Sequence, residues 1–392
     1  MSVAGAVPNP LEQRSLANLR RRTSAKWTTY DADVLPLWVA EMDVDLADPV
    51  REALERALRD GDTGYPGRTT CAETLAAFAE QRYGWSGLDP ARTTLVADVM
   101  TGAMEAVKLV TDPGDVVVVN SPVYPPFFGF LEAAGRTVLE VPLVDGRLDL
   151  PGLEHAFAER RPEGRPAAFF LCSPHNPTGT VHTADELTEV ARLAERHGVR
   201  VVVDEIHAPL VLDGARFTPY LSLPGTGSAF SLMSASKAWN LAGIKAAVLV
   251  AGPEAADDLV RLPWVVSHGP THLGVIAHTA AFAEGGPWLD SLLAGLADNR
   301  ACLTGLLGTH LPDVGFTPPA ATYLAWLDCR ALGLAAEPAQ VFRERGRVAV
   351  NEGEPFGTGG AGHVRLNFAT SRAILTEAVE RLRVAVAQDT PA

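Results

Sequence analysis

The chain has 392 residues, 47% of them hydrophobic and 20% charged, a globular composition with room for one large domain and a smaller one. Its formal net charge is −14, and the longest basic run, Arg20–Arg22, is too short for a nucleic-acid footprint, which removes DNA and RNA from the expected partners. No signal-length apolar core opens the chain and no stretch approaches a membrane span; Cys71, Cys172, Cys302 and Cys329 form no C-x-x-C pair, so the expectation is a cytoplasmic protein with reduced thiols, no membrane and no metal.

The first clear element is ADPVREALERALRDG, a helix with Asp48 expected as its N-cap, Pro49 at its first position and Gly61 as its stop. MTGAMEAV (100–107) reads as a loop entering a helix, whose free N–H groups suit a phosphate. Strands are expected in DVVVVN (115–120), AAFFLCS (167–173), VRVVVDE (199–205), SAFSLMS (228–234) and KAAVLVA (245–251). Between two of them lies TADELTEVARLAERHG, with Thr183 and Glu186 at capping-box spacing and Gly198 as the stop. Strands apolar on both faces suit a mostly parallel sheet covered by helices, so residues 46–280 are expected to form a large α/β domain. From about residue 285 a long helical stretch (288–308) leads to ATYLAWLD (321–328), GRVAVNEG (346–353), HVRLNFATS (363–371) and a closing helix (371–387). This mixture implies a smaller α+β domain made of 281–392 with the N-terminal segment 1–45.

Some string matches fail on context. GTGGAG (357–362) fits G-x-G-x-x-G but runs into a strand instead of a helix, so it is expected to be a glycine loop. SASK (234–237) fits S-x-x-K of penicillin-binding serine enzymes, yet their S-D-N and K-T-G partners are absent. His268 and His272 are four apart, but Pro270 between them argues against a helical metal pair.

Lysine is scarce: Lys26, Lys108, Lys237 and Lys245 are the only four. Lys237 stands among small and apolar neighbours, where desolvation favours a neutral, nucleophilic amine. The aldehyde of pyridoxal 5′-phosphate is the common partner of such an amine. That cofactor needs an anion for its ring nitrogen, a donor for its phenolic oxygen, a stacking face and a phosphate cup. Asp204 ends a strand, where ligands of open α/β sheets bind. Asn176 lies in the turn CSPHNPTG, and Tyr124 follows strand 115–120, where it could cover a ring. Met100, Thr101 and Gly102 with Ser234, Ser236 and Lys245 could form the cup, and Arg365 could grip a carboxylate by two parallel hydrogen bonds. Singly, each has a plain use: Asp204 as a cap, Tyr124 as core, Asn176 as a turn residue, Arg365 in an ion pair, Lys237 snorkelling. Jointly they are more telling, because successive strand ends supply Tyr, Asn, Asp and Lys.

With these motifs on the page, the sequence resembles fold-type I pyridoxal-phosphate enzymes of the class I/II aminotransferase superfamily, and within it the MalY/PatB-type cystathionine β-lyases. The stretches that carry the likeness are LPLWVAEMD (35–43), TGYPG (63–67), NSPVYPPF (120–127), CSPHNPTGTV (172–181), VVVDEIHAPLV (201–211), SASKAWNLAG (234–243), ATYLAWLD and VRLNFATSR (364–372). The resemblance implies a seven-stranded, mostly parallel sheet in the large domain. It implies that Lys237 binds the cofactor aldehyde, Asp204 pairs with the ring nitrogen, Asn176 bonds the phenolic oxygen, Tyr124 stacks and Arg365 takes the substrate carboxylate. It further implies His207 near the phenolic oxygen, Trp38 and Ala40 on the substrate side, and Tyr65 reaching the phosphate of a partner subunit in a homodimer. DVMTG replaces the family's usual T-P-G phosphate loop, and EMDVDLADP lacks the aromatic usual after M-D. The expected reaction is β-elimination of a thiol from an S-substituted L-cysteine, an amino-acid substrate; transamination or other α-carbon chemistry is the alternative, and a non-catalytic regulatory role the third.

Overall fold

The computed structural model describes residues 7–67, 69–159 and 166–389. Its large sheet consists of β1 (Thr93–Val96), β2 (Val116–Val119), β3 (Thr137–Glu140), β4 (Pro166–Cys172), β5 (Arg200–Asp204), β6 (Phe230–Met233) and β7 (Ala247–Ala251). Their order across the sheet is β1-β7-β6-β5-β4-β2-β3, with β7 antiparallel to both neighbours and the other neighbouring pairs parallel.

The strands read from continuous apolar runs are all present, and the reason is their burial on both faces. Val117 and Val119 of β2 pack with Phe170 and Val202 against α3 (Val99–Val110) and α4 (Pro126–Ala133). Val118, one residue out of phase, packs with Phe169 and Val201 against α5 (Leu150–Ala158) and α6 (Ala184–His197). On the first face Phe127 stacks on Phe170 at 3.7 Å between centroids. The sequence reading missed β1 and β3, the two edge strands, whose residues are mostly half-buried and leave no continuous apolar run.

Preceding the sheet, α1 (Asp48–Asp60) and α2 (Cys71–Tyr83) pack on α7 (His272–Glu284). Gly61 ends α1 in the left-handed conformation, but the start corrects the expectation: Ala47 flanks the helix, with Asp48 and Pro49 already in its first turn. The Asp48 carboxylate faces Arg51 at 2.9 Å and caps no N–H. In α6 both halves of the Thr183–Glu186 capping box are formed.

After α8 (Gly286–His310), strands β8 (Gly315–Phe316), β9 (Leu324–Asp328), β10 (Asn351–Glu352) and β11 (His363–Asn367) build an antiparallel sheet in the order β10-β11-β9-β8. Helices α9 (Pro338–Glu344) and α10 (Arg372–Asp389) accompany it. The N-terminal segment reaches this region directly, since Leu35–Pro36 pairs in parallel with Val348–Ala349. Gly357–Gly362 forms a loop running into β11. Among the described residues no helix is long and apolar enough to cross a membrane.

Candidate active site

Parallel strands end on one side of the sheet, so the residues at or just beyond those ends share a rim. Tyr124 follows β2, Asn176 follows β4, Asp204 is the last residue of β5, and Lys237 follows β6. Register keeps the ends level: Cys172 pairs with Asp204, and Asp204 with Leu232.

Asp204 is buried, and Ile206 donates its N–H to Oδ1 at 3.0 Å. Burial raises its pKa to about 6, against the pull of that N–H and of Lys237. Lys237 moves the other way: burial, then Arg365, lower its amine to about 8, and Asp204 and Glu41 oppose the fall. Carboxylate and amine are therefore close enough to act on each other. The amine is half-buried and donates to the Ala40 carbonyl at 3.2 Å.

Arg365 comes from β11, across from Trp326 on β9, and is buried. It donates through Nη1 to Asn176 Oδ1 at 3.0 Å and through Nη2 to the Trp38 carbonyl at 3.2 Å. Its guanidinium lies over the Phe356 ring at 5.2 Å, and burial lowers its pKa to about 10. Lys237, Asp204, Asn176, Arg365, Trp38 and Ala40, expected at the site from sequence, are thus brought together. Tyr124 joins them: burial raises its phenol, and Arg365, Asp204 and Asp98 all act on it. His207 is buried, and desolvation, then Lys237 and Arg365, hold its pKa well down, so the imidazole is neutral.

MTGAMEAV is not a loop entering a helix, because α3 already begins at Val99. The cause is Asp98, whose side chain caps the helix by accepting from Thr101 N at 2.8 Å. Met100, Thr101 and Gly102 therefore occupy the first turn. Gly102 sits so close to the sheet that a Cβ there would come 2.5 Å from Val96 and 2.8 Å from Leu232. Lys245 adjoins this turn through a 2.7 Å ion pair with Asp98. The Ser234 hydroxyl donates to the Ala246 carbonyl at 2.9 Å, lies 3.0 Å from His278 Nε2 and accepts from Ser236 N at 3.1 Å. Tyr65 lies apart, 88% exposed on the loop after α1.

Sequence reasoning missed Tyr323, Glu205 and His175. The buried Tyr323 donates its hydroxyl to the Ala40 carbonyl at 3.1 Å, the acceptor Lys237 also uses. Its turn contains Thr322 at φ 70°, a left-handed conformation disfavoured for a β-branched residue and a signal visible only in the backbone. Glu205, beside Asp204, is buried, accepts from Ser231 and from Tyr220 N, and is raised to about 7 by desolvation. His175 rests on Thr178 Oγ1 at 2.9 Å and the Asn120 carbonyl at 3.3 Å, and burial lowers it to about 3. His268 and His272 turn to different partners, the Trp264 carbonyl and Asp62.

An amine lowered to about 8 beside a buried carboxylate, with a buried arginine adjoining, is suited to amine chemistry on a molecule carrying a carboxylate. Some buried polar atoms here have no hydrogen-bond partner: Arg365 Nε, His207 Nδ1 and Trp38 Nε1. Such atoms fit a site that takes a polar ligand.

Known proteins resemble this chain over nearly all its length. A family model described as Aminotransferase class I and II matches residues 32–382. A Mycobacterium leprae protein, provisionally named a cystathionine beta-lyase, is 57% identical, covering 95% of this chain and 97% of its own. Cystathionine beta-lyase PatB of Bacillus subtilis is 36% identical, covering 90% and 93%. A crystal structure from Corynebacterium diphtheriae, provisionally named a PLP-dependent beta-cystathionase, superposes with a TM-score of 0.91 at 36% identity, covering 96% of this chain and 99% of that one.

Proposed function

The chain belongs to the class I and II aminotransferase family, and from that premise we propose that it is a pyridoxal 5′-phosphate-dependent carbon–sulfur β-lyase. It eliminates a thiol from an S-substituted L-cysteine of the cystathionine type, and the aminoacrylate set free is hydrolysed by water to pyruvate and ammonia. The observation that carries this is the placing of Asp204 and Lys237 at the ends of neighbouring strands, with the buried Arg365 held beside them by Asn176 and the Trp38 carbonyl. The choice of lyase over transaminase is supported by the names of the relatives at 57% and 36% identity.

The residues fit the cofactor. Lys237 would bind its aldehyde carbon, Asp204 its ring nitrogen and Asn176 with His207 its phenolic oxygen; Tyr124 would cover the ring. The start of α3, where Met100, Thr101 and Gly102 lie, would face the phosphate with the N–H groups that Asp98 leaves over, since Asp98 already accepts from Thr101 N and Gly102 N, and Ser234, Ser236 and Lys245 would border it. When bound, the cofactor supplies an electron sink for the pair left at the substrate Cα. Arg365 holds the substrate α-carboxylate on the side lined by Trp38 and Ala40. The Lys237 amine, lowered by burial to about 8 and so more easily deprotonated than a lysine in water, takes the proton from Cα. The pair released there forms a Cα–Cβ double bond as the Cβ–S bond breaks, and the sulfur leaves with its pair as a thiolate that takes up a proton to become the thiol. Asp204, fixed by Ile206 N and raised by burial, would have its negative charge favoured by a cationic partner, which is the task assigned to it.

The domain division follows the same reading, 46–280 for the large unit and 1–45 with 281–392 for the small one, supported by the separation of the seven-stranded sheet from the four-stranded one and by the pairing of Leu35–Pro36 with Val348–Ala349. A homodimer with shared sites and a cytoplasmic setting complete the proposal, the latter supported by free thiols at Cys71, Cys172, Cys302 and Cys329. The test is a panel of S-substituted cysteines assayed for pyruvate and ammonia beside amino-group transfer to a keto acid. Pyruvate release lost at least a thousandfold in Lys237→Ala is the expected result. Transfer without pyruvate would replace the lyase with a transaminase.

A further inference from the structure

The segment Trp38–Val44 crosses the site with little strand pairing of its own, and buried carbonyls must be satisfied from somewhere. Here distant side chains do it, at each carbonyl from Trp38 to Met42. Arg365 donates to Trp38 O at 3.2 Å, Asn367 to Val39 O at 2.8 Å and to Glu41 O at 2.7 Å. Lys237 and Tyr323 share Ala40 O. Lys26 donates to Glu41 O at 3.0 Å, and Asn240 and Arg22 reach Met42 O at 3.1 and 3.4 Å. The resting amine of Lys237 and the guanidinium of Arg365 thus both lean on one strap, two residues apart.

At its far end the strap is held by a buried ion pair, Lys26 Nζ to Asp43 Oδ1 at 2.7 Å, both side chains at most 1% exposed. Asp43 N donates to Ala369 O at 3.0 Å, so the pair also ties the strap to the turn after β11. A buried ion pair stabilises little beyond what an apolar pair of similar volume would, so stability alone is a weak account of it. Geometry gives a better one. Lys26 bonds both Asp43 and the carbonyl next to Ala40, and thereby fixes the acceptor on which the Lys237 amine rests.

We propose that Lys26 and Asp43 are positioning residues for the reaction, setting through the strap where the Lys237 amine and the Arg365 guanidinium stand. Neither touches the reacting atoms. The proposal rests on Lys237 being the reactive amine.

The test compares the parent with the apolar pair Lys26→Met/Asp43→Leu and the neutral, hydrogen-bonding pair Lys26→Gln/Asp43→Asn. In the apolar pair the thermal midpoint is expected to stay near the parent's, while amide exchange across 38–44 quickens about tenfold and kcat for thiol release falls about tenfold. The Gln/Asn pair is expected to recover kcat to within about threefold of the parent. An apolar pair whose strap exchange and kcat both stay within about twofold of the parent overturns the proposal. If that pair does not fold, Asp43→Asn decides: exchange about tenfold faster across 38–44 supports the proposal, and unchanged exchange overturns it. Trapping of Lys237 by pyridoxal and borohydride, located by peptide mass spectrometry in the parent protein, reads the amine's role separately. No trapping there would remove the functional reading and leave the strap measurement standing.

Discussion

Burial moves Lys237 and Asp204 toward each other in pKa, to about 8 and about 6, and so makes each more easily neutral than in water. For Asp204 the folded value lies above the ordinary 3.8, so stability is withdrawn as pH rises from 3.8 through about 6, and the cost is full above that. Removing the charge removes the cost. Asp204→Asn is therefore expected to raise the melting midpoint of the cofactor-free protein at pH 8 by about 3 °C, read by calorimetry. The same change should weaken binding of pyridoxal phosphate about a hundredfold, read by visible absorbance, because the ring loses its counter-charge. Lys237 has the opposite sign: its folded value lies below 10.5, so the cost of its charge is full below about pH 8 and disappears as pH rises to 10.5. Arg365 offers a second contrast. A lysine there keeps a charge but loses the planar fork that Asn176 and Trp38 hold in place. Arg365→Lys is expected to raise KM about thirtyfold with kcat changed less than about threefold, since the carboxylate grip acts on ground and transition state alike.

At the scale of elements, α3 reaches the rim only because Gly102 lets its first turn lie against β1 and β6. A methyl group there would come within 3 Å of Val96 and Leu232, so Gly102→Ala must lift the helix start from the sheet. The expected outcome is about tenfold weaker binding of pyridoxal phosphate, measured by titration, with pyridoxal lacking the phosphate much less affected. This element also shows what the sequence could reveal. Its glycine and the strand ends around it were legible, because β-branched runs such as Val116–Val119 and Val201–Val203 have few other uses than a sheet buried on both faces. Asp204 was legible because a charge directly after such a run is costly, and Lys237 because a scarce lysine stands there among small and apolar neighbours. The true start of α3 was not, since capping by Asp98 depends on a local hydrogen bond that competing turns could equally offer. Tyr323, Asn367 and Lys26 were illegible for a different reason: each acts on the Trp38–Val44 strap, and only the folded chain brings them there.

At the scale of the whole molecule, five of the seven large apolar side chains exposed among the described residues lie in two segments, Phe130 and Val144 being the others. Leu58 and Tyr65 lie at 60% and 88% exposure, and Val260, Trp264 and Val265 at 85%, 75% and 59%. A chain of contacts joins the first of these segments to the start of α3. Asp62 pairs with His272 at 3.0 Å, Thr271 N donates to the Lys245 carbonyl at 3.1 Å, and Lys245 pairs with Asp98 at 2.7 Å. The loop that carries the exposed Tyr65 is thus tied, through Asp62, to the helix start proposed to take a phosphate. A two-fold interface needs donor and acceptor on the same face, because each subunit gives what the other receives. If Tyr65 serves the partner's site, Lys237→Ala and Tyr65→Ala are defects of different subunits and can complement. Each homodimer alone should be inactive or nearly so. Unfolded together and refolded, they should form hybrids in which one site collects both defects and the other has none, restoring about a quarter of the parental rate of pyruvate release. No recovery in a mixture shown by native mass spectrometry to contain hybrids would confine Tyr65 to its own subunit. A monomer in sedimentation would remove the shared site altogether.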